Sequence, residues 1–203
     1  GLWAQFRKWG ITNKSELGNF FEKNLMKSLF LYIFKDSDSL IFDEKQSIGI
    51  EDCYVRIGRK IFLFEFKDAL FPEDAIESFD FDTIKGKIDE GMLLSKKGRK
   101  KALMQLCDNI SNVFGGYYKY NDWGNTRLNS KSLEIYPVVL YTDDKFRVEG
   151  VNYYLNERFN SIVSDNINDW KIEYKAYRYQ IKGLTVIGLE FMLNNMVTLH
   201  KRR

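Results

Sequence analysis

The sequence predicts an α/β domain with a central mixed sheet, a β-meander plus a further strand, flanked by helices. Apolar residues recur at helical spacing in 14–34 and 100–114, and β-rich apolar runs stand at 39–43, 53–67 and 134–141. Helical and extended segments also interleave along the chain, which by itself admits α+β as well as α/β. The 203 residues, 44% hydrophobic and 16% aromatic, make a single domain with ample core material. No repeat or low-complexity segment divides them, and prolines occur only at Pro72 and Pro137.

Asn13 with Glu16 three residues later forms a capping box that opens a helix over about 14–34. Leu17, Phe20, Phe21, Leu25, Leu29 and Phe30 supply its apolar stripe, and Glu22 borders that stripe while Lys23 and Lys27 point away. Residues 39–43 read as a short strand, and 68–95 as an acidic lid or inserted helix. From about Lys100 to Phe114 the pattern is helical, with Leu103, Leu106, Ile110 and Val113 on one face and Gly115-Gly116 as the stop. Residues 134–141, EIYPVVLY, have the composition of a buried strand. A helix near 151–164, strands near 171–179 and 184–188, and a short last helix complete the expectation.

The segment 51–67, EDCYVRIGRKIFLFEFK, fixes its own pairing. Gly58-Arg59 between two β-rich runs suits a two-residue type II′ turn, so Ile57 pairs with Lys60 and Asp52 falls across from Glu65. One face then collects Cys53, Val55, Ile57, Phe62, Phe64 and Phe66. The other carries Asp52, Tyr54, Arg56, Ile61, Leu63, Glu65 and Lys67. A slip of one residue would put Asp52 on the aromatic face, so the register is well specified. Opposed carboxylates repel unless a cation lies between them, and Asp and Glu are the usual Mg²⁺ ligands when the substrate is a phosphate. Lys67 shares their face and is suited to stabilising charge on a phosphoryl group. Taken alone, a Glu-x-Lys after an apolar strand also fits ordinary charges on the outer face of a half-exposed hairpin.

Net charge is +3 but unevenly spread. Residues 73–90 hold seven acids against two lysines, whereas Lys96, Lys97, Arg99, Lys100 and Lys101 form a basic cluster and the chain ends Lys201-Arg202-Arg203. Such clusters suit a phosphate backbone, although a charge run by itself is usually a solvated face. His200, read as a surface residue of the tail, is the only histidine, which argues against a histidine base or a multi-histidine zinc site. Gly86-Lys87 and Gly115-Gly116 lack phosphate-loop spacing. Phe114, Tyr117, Tyr118, Tyr120 and Trp123 are candidates for base stacking or, more simply, for packing, and Asp143-Asp144 reads as a turn or a second acidic site. Cys53 and Cys107 fall in apolar segments as buried thiols, consistent with a reducing, cytoplasmic setting. No apolar run is long enough to cross a bilayer. The chain starts at Gly1 rather than Met, so it is read as a processed product or as part of something longer.

Taken in order, the motifs resemble the PD-(D/E)XK nucleases, the restriction-endonuclease-like superfamily. Gly-Asn-Phe-Phe-Glu22 is similar to the family's first-helix acid, Ile50-Glu51-Asp52 to its motif aspartate, and Phe64-Glu65-Phe66-Lys67 to the second half-motif. Glu51 stands where the family name has proline. Lys101-Ala-Leu-Met-Gln105-Leu106 resembles the helical Gln-Leu element, with Lys101 one turn before Gln105 and Asn109 one turn after it. The resemblance covers residues 16–141 of the single domain 1–203; the motifs are short, and their order carries the specificity. It implies a restriction-endonuclease-like core and Mg²⁺- or Mn²⁺-dependent hydrolysis of DNA phosphodiesters. Asp52, Glu65 and the Phe66 backbone carbonyl would hold the metal, with Glu22 at a second metal or its water. Lys67 would be the positioned cation, Gln105 an orienting group, and Lys96, Lys97, Arg99, Lys100 and Lys101 the backbone track. The alternative is a non-catalytic member that binds nucleic acid or protein, against which the intact set of Asp52, Glu65 and Lys67 argues, because a retired site need not keep all three. A homodimer or a larger multidomain protein are both compatible contexts.

Overall fold

Five strands form one mixed sheet in sequential order in the computed structural model: β1 (Ser39–Phe42), β2 (Cys53–Ile57), β3 (Lys60–Lys67), β4 (Glu134–Tyr141) and β5 (Thr185–Gly188). The structure describes residues 21–42, 52–67, 75, 77–114, 133–142, 149–166 and 180–201. β1, β2 and β3 are an antiparallel meander, β4 runs parallel to β3, and β5 runs parallel to β4. The change of sense follows from the connections. Two residues suffice to reverse β2 into β3, whereas a parallel neighbour requires a crossover. Helices α2 (Phe81–Met92) and α3 (Ala102–Phe114) lie in the first crossover, and α4 (Val151–Asn166) in the second.

The hairpin has the register expected from the sequence, with Ile57 opposite Lys60 and Cys53 opposite Phe64. Gly58 has φ 60°, and Phe79 is the only non-glycine with positive φ among the described residues, so Arg59 lies on the negative side as a type II′ turn requires. Asp38 accepts hydrogen bonds from the Gly58 N–H and from the Arg56 guanidinium, which pins the turn to the segment before β1.

Both faces of the sheet are covered. On one, Cys53, Val55, Phe64, Val138 and Leu140 pack with Met26, Leu29, Phe30 and Ile33 of the first helical segment and with Leu189 and Met192. The first helical segment is a π-helical turn, Phe21–Met26, running into α1 (Lys27–Ile33), and Leu189 and Met192 belong to α5 (Leu189–Lys201). On the other, Tyr54, Ile61, Leu63, Val139 and Tyr141 pack beneath α2, α3 and α4. A half-exposed hairpin with a solvated outer face is therefore overturned: Tyr54, Ile61 and Leu63 are all buried.

The acidic segment does contain a helix, α2, whose N-cap Asp80 accepts from the Thr83 N–H at 3.0 Å. The last helix, expected to be short, spans 13 residues. His200 consequently sits in its final turn, half-buried with its ring 5.2 Å from that of Tyr32, rather than in a surface tail. Phe114 is buried at the end of α3 and so packs rather than stacks on a base. The capping box at Asn13 and Glu16, Gly115-Gly116, Tyr117, Tyr118, Tyr120, Trp123, Asp143-Asp144 and the strand near 171–179 lie outside the described residues.

Candidate active site

The chemistry-bearing residues converge where β3 ends. Glu65 and Lys67 are two apart on one strand, so their side chains leave the same face, the one covered by α3. Lys67 Nζ donates to Glu65 Oε1 at 2.7 Å and to Gln105 Oε1 at 3.1 Å. Glu65 is only 1% exposed, and the Lys67 side chain 16%. A carboxylate this deep is tolerated because a hydrogen-bonded ammonium compensates its lost hydration.

Gln105 reaches Lys67 because α3 begins at the same end of the sheet. The Gln105 N–H bonds the Lys101 carbonyl at 2.8 Å, which makes it the opening turn of the helix. Asn109, one turn further on, is also buried, although its sequence position placed it only on the flank with Gln105. The signal was there: a polar side chain four residues after Gln105 among apolar ones.

Asp52 stands in a bend one residue before β2. The ladder stops at Cys53 and Phe64, one pair short of the expected facing of Asp52 and Glu65. Instead, Asp52 Oδ2 accepts the Phe66 N–H at 2.5 Å. The reason is the alternation of the antiparallel ladder. A two-residue turn is flanked by a hydrogen-bonded pair, so Lys60, Phe62, Phe64 and Phe66 all direct their N–H and C=O groups towards β2. Beyond the last pair the Phe66 N–H needs an acceptor, and the Asp52 carboxylate supplies it. The Asp52 carboxylate thus lies at the Glu65–Phe66 peptide, at the strand edge rather than directly over Glu65.

Three candidate hard-oxygen donors of two kinds lie at neighbouring positions here: the Asp52 carboxylate at the Phe66 N–H, the Glu65 carboxylate at Lys67, and the Phe66 carbonyl, which points the same way as its own N–H. Such a set suits Mg²⁺ or Mn²⁺ and not a thiophilic metal. Among the described residues no group of three or more His, Cys, Asp and Glu gathers, so a cation here would rest on two carboxylates and a backbone oxygen. Glu22 belongs by its backbone to the π-helical turn, and its side chain lies outside the described part.

The basic cluster occupies a tight turn leading directly into α3. Ser95 and Arg99 exchange backbone and side-chain hydrogen bonds, Gly98 has φ 69°, and Leu94 bridges Lys100. Lys96 lies 3.7 Å from Glu90, and Lys100 lies 2.7 Å from Asp108, so two of the five cations have acidic neighbours. Lys101 is half-buried one helical turn before Gln105, which puts this turn at the Lys67 end of the sheet.

Other ionisable groups are poor candidates for reaction. Burial pushes the Cys107 thiol up to about 12, with Asp108 adding to the effect, so it stays protonated and inert. The Tyr154 phenol is likewise pushed up to about 12, first by burial and then by its hydrogen bond to Asp89. No helix among the described residues is long and apolar enough to cross a membrane.

No protein-family model, curated protein or solved structure matches this chain.

Proposed function

We propose that this protein is a metal-dependent nuclease that hydrolyses phosphodiester bonds of DNA on a restriction-endonuclease-like core. The observation that carries the reading is the Glu65–Lys67–Gln105 cluster at the end of β3, in which a buried Glu65 meets a half-buried Lys67 and Gln105, with the Asp52 carboxylate one peptide away. A buried carboxylate–ammonium pair contributes little net stability compared with an apolar pair of similar size, so its presence in a sheet core points to use rather than to architecture.

In this reading Asp52, Glu65 and the Phe66 carbonyl hold Mg²⁺ or Mn²⁺, and Glu22 is a candidate for a second cation. A bound cation would supply Lewis-acid stabilisation of the phosphate charge. Lys67 brings a fixed positive charge to where negative charge grows as the bond to phosphorus forms. Its orientation is set in advance by Glu65 and Gln105, so little reorganisation is needed during reaction. Gln105 holds the ammonium on the side of α3, and its amide presents a donor to a phosphate oxygen. The turn bearing Lys96, Lys97, Arg99, Lys100 and Lys101 meets the DNA backbone by charge, without reading bases.

The test is cleavage of plasmid and oligonucleotide DNA with and without Mg²⁺ or Mn²⁺. Wild-type protein should cut only with metal, and Asp52→Ala and Lys67→Ala should each lower the rate by at least 100-fold while retaining DNA binding. Binding without cleavage under any metal would replace the nuclease with a non-catalytic nucleic-acid-binding module. Neither binding nor cleavage would reject both.

A further inference from the structure

Asn109 is fully buried, at 0% exposure, in the middle of α3. Neither its Oδ1 nor its Nδ2 has a hydrogen-bond partner among the described residues. Buried amides in native proteins are almost always bonded, and where protein groups do not serve, an ordered water does.

The position of Asn109 identifies what such a water would join. α3 lies in the crossover between two parallel strands, packs on β3 and runs back against its direction. One helical turn of four residues advances about 6 Å. Two strand residues advance about 6.6 Å. Gln105 reaches Lys67 at 3.1 Å, so these matching rises put Asn109, one turn along α3, about level with Glu65, two residues back along β3 and on the same face as Lys67. Asn109 offers a donor and an acceptor, and Glu65 offers carboxylate oxygens, which is the set of partners a buried water needs.

We propose that Asn109 anchors a buried water that bridges its side-chain amide to the Glu65 carboxylate. Lys67 and the water then grip that carboxylate from two sides, and Asn109 acts as a positioning residue for it. Its consequence for catalysis rests on the nuclease reading; the hydration site itself does not.

Two measurements test it. A high-resolution crystal structure of the full chain should contain a water within hydrogen-bond distance of both the Asn109 amide and Glu65. A dry cavity, or an amide bonded only to protein groups, overturns the proposal. The second is a thermal double-mutant cycle with Asn109→Leu and Glu65→Met. Asn109→Leu should lower Tm by about 3–6 °C in the native background. In the Glu65→Met background it should leave Tm unchanged or raise it, because no carboxylate remains to be stranded. Equal shifts in the two backgrounds overturn the bridge. If Glu65→Met fails to fold, the crystallographic result decides alone. Failure of the nuclease reading appears separately, as wild-type protein that cuts no DNA with Mg²⁺ or Mn²⁺ whether or not the water is found.

Discussion

On the α1/α5 side of the sheet, Phe30 sits among the rings of Phe34, Phe42, Phe64 and Phe66, with centroids 4.7 to 6.4 Å away. On the α2/α3/α4 side, the same strands and α3 bury Arg56, Glu65 and Asn109, the only buried polar or charged residues among those described. The two sides share one backbone but differ in what they contribute. The aromatic side gains free energy from burial and close packing and, among the described residues, buries no charged side chain. The other side spends part of that surplus on charges that must be paired wherever they sit. A single sheet can therefore hold a buried charge pair in place, because the opposite face secures the strand that carries it.

Removing the centre of the aromatic side is the largest perturbation. Phe30→Ala should destabilise by about 3–5 kcal/mol, a fall in Tm of about 10 °C for a domain of this size, measured by calorimetry. If the two faces are separable, any metal-dependent cleavage at low temperature should survive. Next comes the polar side. Lys67→Met removes the cation from a carboxylate that stays buried, and should destabilise by about 3 kcal/mol in urea unfolding. Adding Glu65→Gln should recover part of that loss, since the stranded charge and not the lost volume causes it. No recovery would mean that the pair matters only for shape.

A smaller effect belongs to the turn that sets the register for both faces. Gly58→Ala meets no atom within 4 Å, so its whole effect is conformational, about 1–2 kcal/mol from the positive φ. The smallest prediction lies away from both faces. The Asp80 carboxyl is held below its ordinary value of 3.8, first by the Thr83 hydroxyl and then by the Thr83 N–H. Its folded pKa is lower than its unfolded one, so its contribution is complete above about pH 4 and is lost as pH falls through the folded value. Asp80→Ala should therefore lower Tm evenly from pH 5 to 8, and the gap to wild type should narrow below pH 4. Asp80→Asn should keep a cap without that pH dependence.

Much of this was legible because local rules sufficed. Gly58-Arg59 and the alternation of Phe62, Phe64 and Phe66 against Leu63, Glu65 and Lys67 gave the hairpin, its register and its two faces. The spacing of Leu103, Leu106, Ile110 and Val113 gave α3, and EIYPVVLY gave the bounds of β4. What escaped was tertiary. Nothing in the Glu-x-Lys spacing said that α3 would cover it, so Glu65 read as equally suited to an exposed face. The register put Asp52 across from Glu65, but whether its carboxylate would turn to a neighbouring N–H depends on where the ladder stops. Asn109 looked like a flank position because burial of that flank comes from β3, more than 40 residues earlier.

The covering of both faces also limits geometry outside the protein. Among the described residues helices lie above and below the sheet, and Lys67, the last residue of β3, keeps a slight exposure. On the nuclease reading, a phosphate would then approach the ammonium along the strand axis, at the end of β3. A nucleic acid, if the nuclease reading holds, would then present one kinked or protruding phosphate instead of lying flat across the sheet, and cleavage would favour substrates that bend or fray easily.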